Sequence, residues 1–285
     1  MADGAPVALL AGGGALPGLL RAALLRRGRA VRVLALRGFA EWTLARQADA
    51  VIDILDYKRI FATLEAWAPA EVVLVGTVHR PKPSAFAGAL AAFRNREEIA
   101  AILGAGDDGL LAGVIRLLEE RGLVVGGIHR LAPELLAGAG ILGAIAPDEQ
   151  DLAAAAVGQG VLEALSPFDV GQAVVVAARR VVAVEGPEGT DAMLARARRL
   201  RRSSRLRAIH GGVLVKMAKV GQDLRVDLPT IGPRTVVCAA RAGLAGIAVG
   251  AGTTLIVDTS ATIAEADRRG LFLLGIERRP EGGET

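Results

Sequence analysis

One cysteine, Cys238, stands in the 285 residues, which excludes an intrachain disulfide framework and a thiolate metal cluster and points to a reducing cytosol. It lies in the apolar run from Val236 to Ala240, where it is expected to pack as a small hydrophobe. Aromatic residues are 3% of the chain, too few for an aromatic-rich β-sandwich, whereas an apolar content of 52% is enough for a sizeable core in two domains. The three histidines, His79, His129 and His210, are far apart and none has a His or Glu at metal-ligand spacing, so turn or packing roles are expected. The sequence also lacks a Gly-x-Ser-x-Gly elbow, a Gly-Lys-Ser/Thr phosphate loop and a His-Glu-x-x-His helix. Acyl-enzyme chemistry and P-loop hydrolysis lose support accordingly.

Membrane-crossing length is missing too. The uncharged stretch from Ala242 to Val257 falls short of the ~20 residues that span a bilayer, and its four glycines suit a buried strand pair. Met1 to Leu10 has no basic region ahead of its apolar residues and is not read as a signal peptide. The net charge of +4 owes much to arginine, seven of them between Arg196 and Arg207, a balance that favours anionic partners. No aromatic interleaves these arginines, which weighs against a nucleic-acid role.

Short apolar runs alternating with helical ones predict an α/β protein with a parallel sheet in its first half. Val7–Leu10 reads as a strand, Ala11–Gly14 as a glycine loop and Pro17 to Arg27 as a helix. Ala30–Leu36, Ala50–Ile54, Glu71–Gly76 and Leu123–Gly126 are further strands, with a helix from Tyr57 to Ala66. The stretch after Gly127 is rich in Gly, Pro and Ala without a clear period. The expected organisation is therefore an N-terminal domain over 1–128, a linker over 129–147 and a C-terminal domain over 148–285. The second domain starts differently: a helix from Asp148 to about Leu165, then a strand pair, Gln172–Val176 and Val181–Glu185. Thr190 is expected to cap a helix with Asp191 in its first turn, and Gly212–Met217 to form a strand.

Several residues could carry chemistry. Gly12, Gly13 and Gly14, between strand and helix, allow either a backbone approach to phosphate or a tight turn that serves packing. Pro17 stands where a dinucleotide fingerprint wants its third glycine, and the second strand ends at Leu36-Arg37 without the ribose-binding acid, which disfavours nicotinamide. Asp107 and Asp108, within Gly-Asp-Asp-Gly, could bind Mg²⁺ or Mn²⁺, or else cap a helix and face water. Glu188-Gly189-Thr190-Asp191 offers the same two readings. Asp227, between Val226 and Leu228 with Pro229 behind it, cannot belong to a solvated charge run and is read as functional. Lys216, among Val213, Leu214, Val215 and Met217, could hold a phosphate oxygen or guard an edge strand.

In order along nearly the whole chain, Ala11–Pro17, Gly76-x-Val78-x-Arg80-Pro81, Gly106-Asp107-Asp108, Glu188–Asp191, Arg225–Gly232 and Ala240–Ile247 resemble the LpxI-type UDP-2,3-diacylglucosamine pyrophosphatases. The resemblance implies a Rossmann-like N-terminal domain with a parallel sheet and a distinct α/β C-terminal domain. It implies hydrolysis of UDP-2,3-diacylglucosamine by water attack on the phosphorus nearer uridine, giving UMP and 2,3-diacylglucosamine 1-phosphate (lipid X), with Mg²⁺ or Mn²⁺ as cofactor. Asp227, then Asp191, are its expected catalytic acids, and these two with Asp107 and Asp108 its expected metal ligands. Gly12, Gly13, Gly14, Arg80, Gln172, Thr190, Lys216 and Thr230 are the expected substrate contacts. The expected setting is the cytoplasm, with peripheral contact through the Arg196–Arg207 cluster at the inner face of the cytoplasmic membrane, an acylated UDP-sugar as partner and a homodimer left open. The rival readings are a non-catalytic nucleotide- or lipid-binding module and an NADP-type enzyme using the glycine loop with Arg37.

Overall fold

The structure, a computed structural model, describes residues 4–78, 107–203 and 211–278. The chain folds as two compact units, Met1–Ala132 with Asp223–Asp227, and Pro133–Gln222 with Leu228–Thr285.

In the first unit β1 (Val7–Ala11) lies inside a four-stranded sheet of order β3-β2-β1-β4, with β2 (Val31–Leu36), β3 (Ala50–Ile52) and β4 (Glu71–Val75). Every pairing is parallel, and 3-2-1-4 is the order in which a doubly wound dinucleotide-binding sheet begins. Parallel neighbours need crossovers, which include α1 (Leu16–Arg26) after β1 and α3 (Tyr57–Trp67) after β3, while the short α2 (Trp42–Ala45) follows β2. The expected α/β class and parallel sheet are what the sequence called for: β1 is a continuous apolar run, fully buried at Val7, Ala8, Leu9 and Ala11 because both of its faces are covered. The expected strand at Leu123–Gly126 shrinks to one parallel bridge, Val125 to Val72. The chain turns at Gly127 into α5 (Ile128–Leu131), directly after α4 (Asp107–Glu119) and its turn, so no ladder can extend. Ile60, Phe61, Leu64, Val72, Ile115 and Leu118 form the core here, and Val226, from far down the chain, packs against it.

The second unit holds a six-stranded mixed sheet, β5-β12-β10-β8-β6-β7. Its strands are β5 (Gly140–Ile141), β6 (Ala173–Ala177), β7 (Arg180–Val184), β8 (Val213–Lys216), β10 (Gly246–Gly250) and β12 (Phe272–Ile276). β8, β10 and β12 run parallel, and β6 is antiparallel to both β8 and β7. The β6-β7 hairpin turns through Ala178 and Arg179, both in the left-handed region, as a primed turn requires. Alternation along β6 separates two cores. Val174 and Val176 meet Ala154, Ala155 and Leu162 of α6 (Glu149–Leu165), whose start is closed by an Asp148–Asp151 capping box. Ala173 and Val175 face Met193, Leu194 and Ala197 of α7 (Thr190–Ser203), with Val236 and Ala239 of α8 (Pro233–Arg241) and Ala266 of α9 (Thr259–Arg268) in the same cluster.

The uncharged stretch 242–257 does hold two buried strands, but they do not pair with each other. β10 joins the large sheet, and β11 (Leu255–Ile256) pairs with β9 (Thr230–Ile231) in a small parallel one. The stretch 129–147 carries most of α5, a 3₁₀ turn at Pro133–Leu135 and β5, which closes the sheet edge against β12. Among the described residues no helix is long and apolar enough to cross a membrane.

Candidate functional site

The glycine loop of the first unit is filled by backbone. Gly12 N–H donates to Val75 O and Gly13 N–H to Thr77 O, both at 2.8 Å, and Thr77 N–H returns to Gly13 O at 2.9 Å. A Cβ on Gly12 would sit 2.7 Å from Thr77 O, and one on Gly76, whose φ is +94°, 2.6 Å from Gly13 O. These glycines let the loops after β1 and β4 touch, and two of the three amides expected to face phosphate are committed inside the protein. Gly14 alone takes a positive φ, +82°, at the entry to α1. Arg80 lies outside the described residues.

In the second unit, four strand and helix ends converge. β8 ends at Lys216 and pairs there with Ala173 of β6 on one side and Val249 of β10 on the other, so the lysine sits inside the sheet. The edge-strand reading of Lys216 is thereby overturned. Lys216 Nζ donates to Thr190 Oγ1 at 2.8 Å, and Thr190 Oγ1 donates to Glu185 Oε1 at 2.7 Å. A hydroxyl has one proton, and once the carboxylate takes it the oxygen can only accept from the ammonium. The other carboxylate oxygen, Oε2, accepts Gln172 N–H at 3.0 Å. Glu185 is 8% exposed, and Gly171 makes room for it, since a Cβ there would lie 2.7 Å from Glu185 Cγ. Both oxygens of this buried carboxylate are thus bonded, the condition for keeping a charge in an interior. Thr190 is not the expected N-cap: Gly189 O receives the first helical bond, from Met193 N–H, and the Thr190 side chain turns to Glu185 and Lys216. Thr230 Oγ1 donates to Leu228 O at 3.1 Å, closing its own turn.

The cluster stands at the carboxyl end of β8, beside that of β10, where open α/β sheets receive ligands. Fully buried Thr254 donates to Lys216 O at 3.5 Å and braces the strand end. A second lysine, Lys219, is 9% exposed and donates to Asp169 Oδ1 at 2.5 Å. Asp191 faces elsewhere, pairing with Arg234 Nε at 2.7 Å. Burial, then the nearby Asp191 carboxylate, push the Cys238 thiol up, so it is a poor nucleophile.

Asp227 belongs to the first unit with Asp223, Leu224, Arg225 and Val226. Its N–H donates to Asp223 O at 3.3 Å, closing one turn. His129 Nδ1 lies 3.1 Å from Leu224 O, a structural contact of the kind expected for that histidine.

Among the described residues no three of His, Cys, Asp and Glu converge as a metal cage. Asp191 is tied to Arg234 and Asp223 to Arg225, and the Asp107 and Asp108 side chains lie outside the described residues. Glu185 was missed by sequence reasoning, although it carried a signal, an acid ending an apolar strand; Lys219 is expected, with Lys216, on or just after the same strand.

Family models of the LpxI N-terminal domain and the LpxI C-terminal domain match residues 6–135 and 138–274. A Caulobacter vibrioides protein named UDP-2,3-diacylglucosamine pyrophosphatase LpxI is 40% identical over 270 residues, covering 94% of this chain and 96% of its own.

Proposed function

Since the chain belongs to the LpxI family, we propose that it is a UDP-2,3-diacylglucosamine pyrophosphatase of lipid A synthesis, releasing UMP and 2,3-diacylglucosamine 1-phosphate. The observation that carries the chemistry is the Lys216–Thr190–Glu185 chain, a cation held at a strand end by a hydroxyl whose proton is committed to a buried carboxylate. Such a cation is in place before the substrate arrives and loses nothing to reorganisation when phosphate charge builds up.

In this reading Lys216 faces the diphosphate oxygens, Thr190 holds the ammonium, Glu185 holds Thr190, and the Gln172 N–H holds Glu185. Asp227 orients the attacking water and takes its proton. The water oxygen joins the phosphorus nearer uridine, the bond from that phosphorus to the bridging oxygen breaks, and the electron pair leaves on the sugar phosphate. A divalent cation, Mg²⁺ or Mn²⁺, neutralises phosphate charge when bound, with Asp227 the residue that would touch it. An acylated substrate also calls for work near a membrane surface in the cytoplasm. Arg198 and Arg199 are exposed on α7, Arg196 bonds Glu188 and Val184 O, and Arg201 bonds Gly211 O. Binding to anionic vesicles is expected to fade with salt.

The decisive assay is UMP release from UDP-2,3-diacylglucosamine with Mg²⁺, Mn²⁺ or chelator, wild type against Asp227→Ala. Metal-dependent release that falls ~10²- to 10⁴-fold in the variant is expected. Tight substrate binding without any release by folded wild type would leave a binding module instead.

A further inference from the structure

Asp223–Asp227 follows a long stretch of the second unit and precedes another, yet packs within the first. Three fixings hold it there. Val226 joins the first unit's apolar core. Leu224 O meets His129 at 3.1 Å. Arg225 makes the third: its Nε lies 2.9 and 3.0 Å from the two oxygens of Asp223, its Nη2 2.7 Å from Oδ2, and its Nη1 2.7 Å from Glu119 Oε1 on the last turn of α4. Asp223 in turn accepts Arg225 N–H on Oδ1, and its carbonyl accepts from Asp227 N–H. The guanidinium therefore grips both the base of the turn that ends at Asp227 and a helix of the unit on which that turn rests. The backbone is close here as well, since a Cβ on Gly127 would approach Arg225 Cα at 3.1 Å.

We propose that Arg225, through Asp223 and Glu119, is the positioning residue that sets Asp227 in place for the reaction. The inference rests on the proposed role of Asp227. A planar fork bonded on two edges fixes a direction as well as a distance, which a lysine at the same place cannot do. The pair with Glu119 is partly exposed, so its removal should cost little stability, while a misplaced carboxylate should cost rate. Because Asp227 acts only once the substrate is bound, the loss should fall on kcat.

The test uses the full chain with Arg225→Lys, Glu119→Ala, the double variant and Asp227→Ala, assayed for UMP release and thermal melting. The expected result is a kcat about 10- to 100-fold lower in each single positioning variant, with KM within about 2-fold of wild type. The double variant should be no slower than Arg225→Lys alone, and melting temperatures should stay within about 3 °C of wild type. Full kcat in Arg225→Lys and Glu119→Ala beside an inactive Asp227→Ala would overturn the positioning role. So would losses that track a large fall in melting temperature, since the clamp would then be a stability element. Wild-type rates in Asp227→Ala would instead overturn the reading of Asp227 itself.

Discussion

Both units place a loop at the carboxyl end of a buried parallel strand, and they fill that place in opposite ways. After β1, the loop of three glycines closes on the loop after β4, with the Gly12 and Gly13 amides spent on Val75 and Thr77 carbonyls. After β8, side chains fill the corner: Lys216, Thr190 and Glu185 in one hydrogen-bonded chain, with the Gln172 amide on the far oxygen of the carboxylate. A glycine loop can serve a ligand or its own protein with the same N–H groups, and here the protein has taken those of Gly12 and Gly13. A lysine inside a sheet, by contrast, has no purely apolar use, so its partners reveal its work.

The comparison breaks most readily at Lys216. Lys216→Met, of similar length and without charge, should lower kcat/KM for UMP release by ~10²- to 10³-fold while the protein stays folded. A variant as fast as wild type would remove the strand-end corner from the chemistry.

A double-mutant cycle on Thr190 and Glu185 is sharper. Thr190→Val and Glu185→Gln should each lower kcat/KM about 10- to 100-fold, Thr190→Ser should restore it, and the two losses should not add, with a coupling of about 1–2 kcal/mol. Additive losses would mean that Glu185 acts on the fold and not through Thr190.

On the other side, Gly12→Ala should cost about 1–3 kcal/mol in denaturant unfolding because backbone must give way, with little change in kcat for the fraction that folds. A selective rise in KM at unchanged stability would return the loop to phosphate binding.

The smallest effect concerns pH. Hydrogen bonding to Arg225 holds the Asp223 carboxyl below the usual range, so its contribution is present above the unfolded value of about 3.9 and is lost as pH falls through the lower folded one. Acid unfolding of Asp223→Asn, compared with wild type, should lose part of that slope below about pH 4.

Much of the fold was legible because period carries it. The apolar runs of β1, β2 and β4 announce strands buried on both faces, and Asp148 announces the start of α6. Leu123–Gly126 misled because an apolar run says nothing about whether a neighbouring strand is in reach. Thr190 misled for a related reason. Its place before a helix fits a cap, but a partner at Glu185 and another at Lys216 outbid the local backbone. Glu185 was passed over because burial of a carboxylate depends on how the fold brings its partners, Thr190 and Gln172, onto its two oxygens.

What the sequence determined by itself is the alternation of elements, the interior strands, and which residues are rich enough in chemistry to matter, since these follow from side-chain period, turn chemistry and residue type. Tertiary structure alone decided which of those residues meet. Hydrogen bonds between strand ends and helix starts join Gln172, Glu185, Thr190 and Lys216, and the packing of Val226 with the grip of Arg225 draws Asp227 into the first unit. Short-range forces act on whatever the chain's path brings close, and only the folded path specifies that.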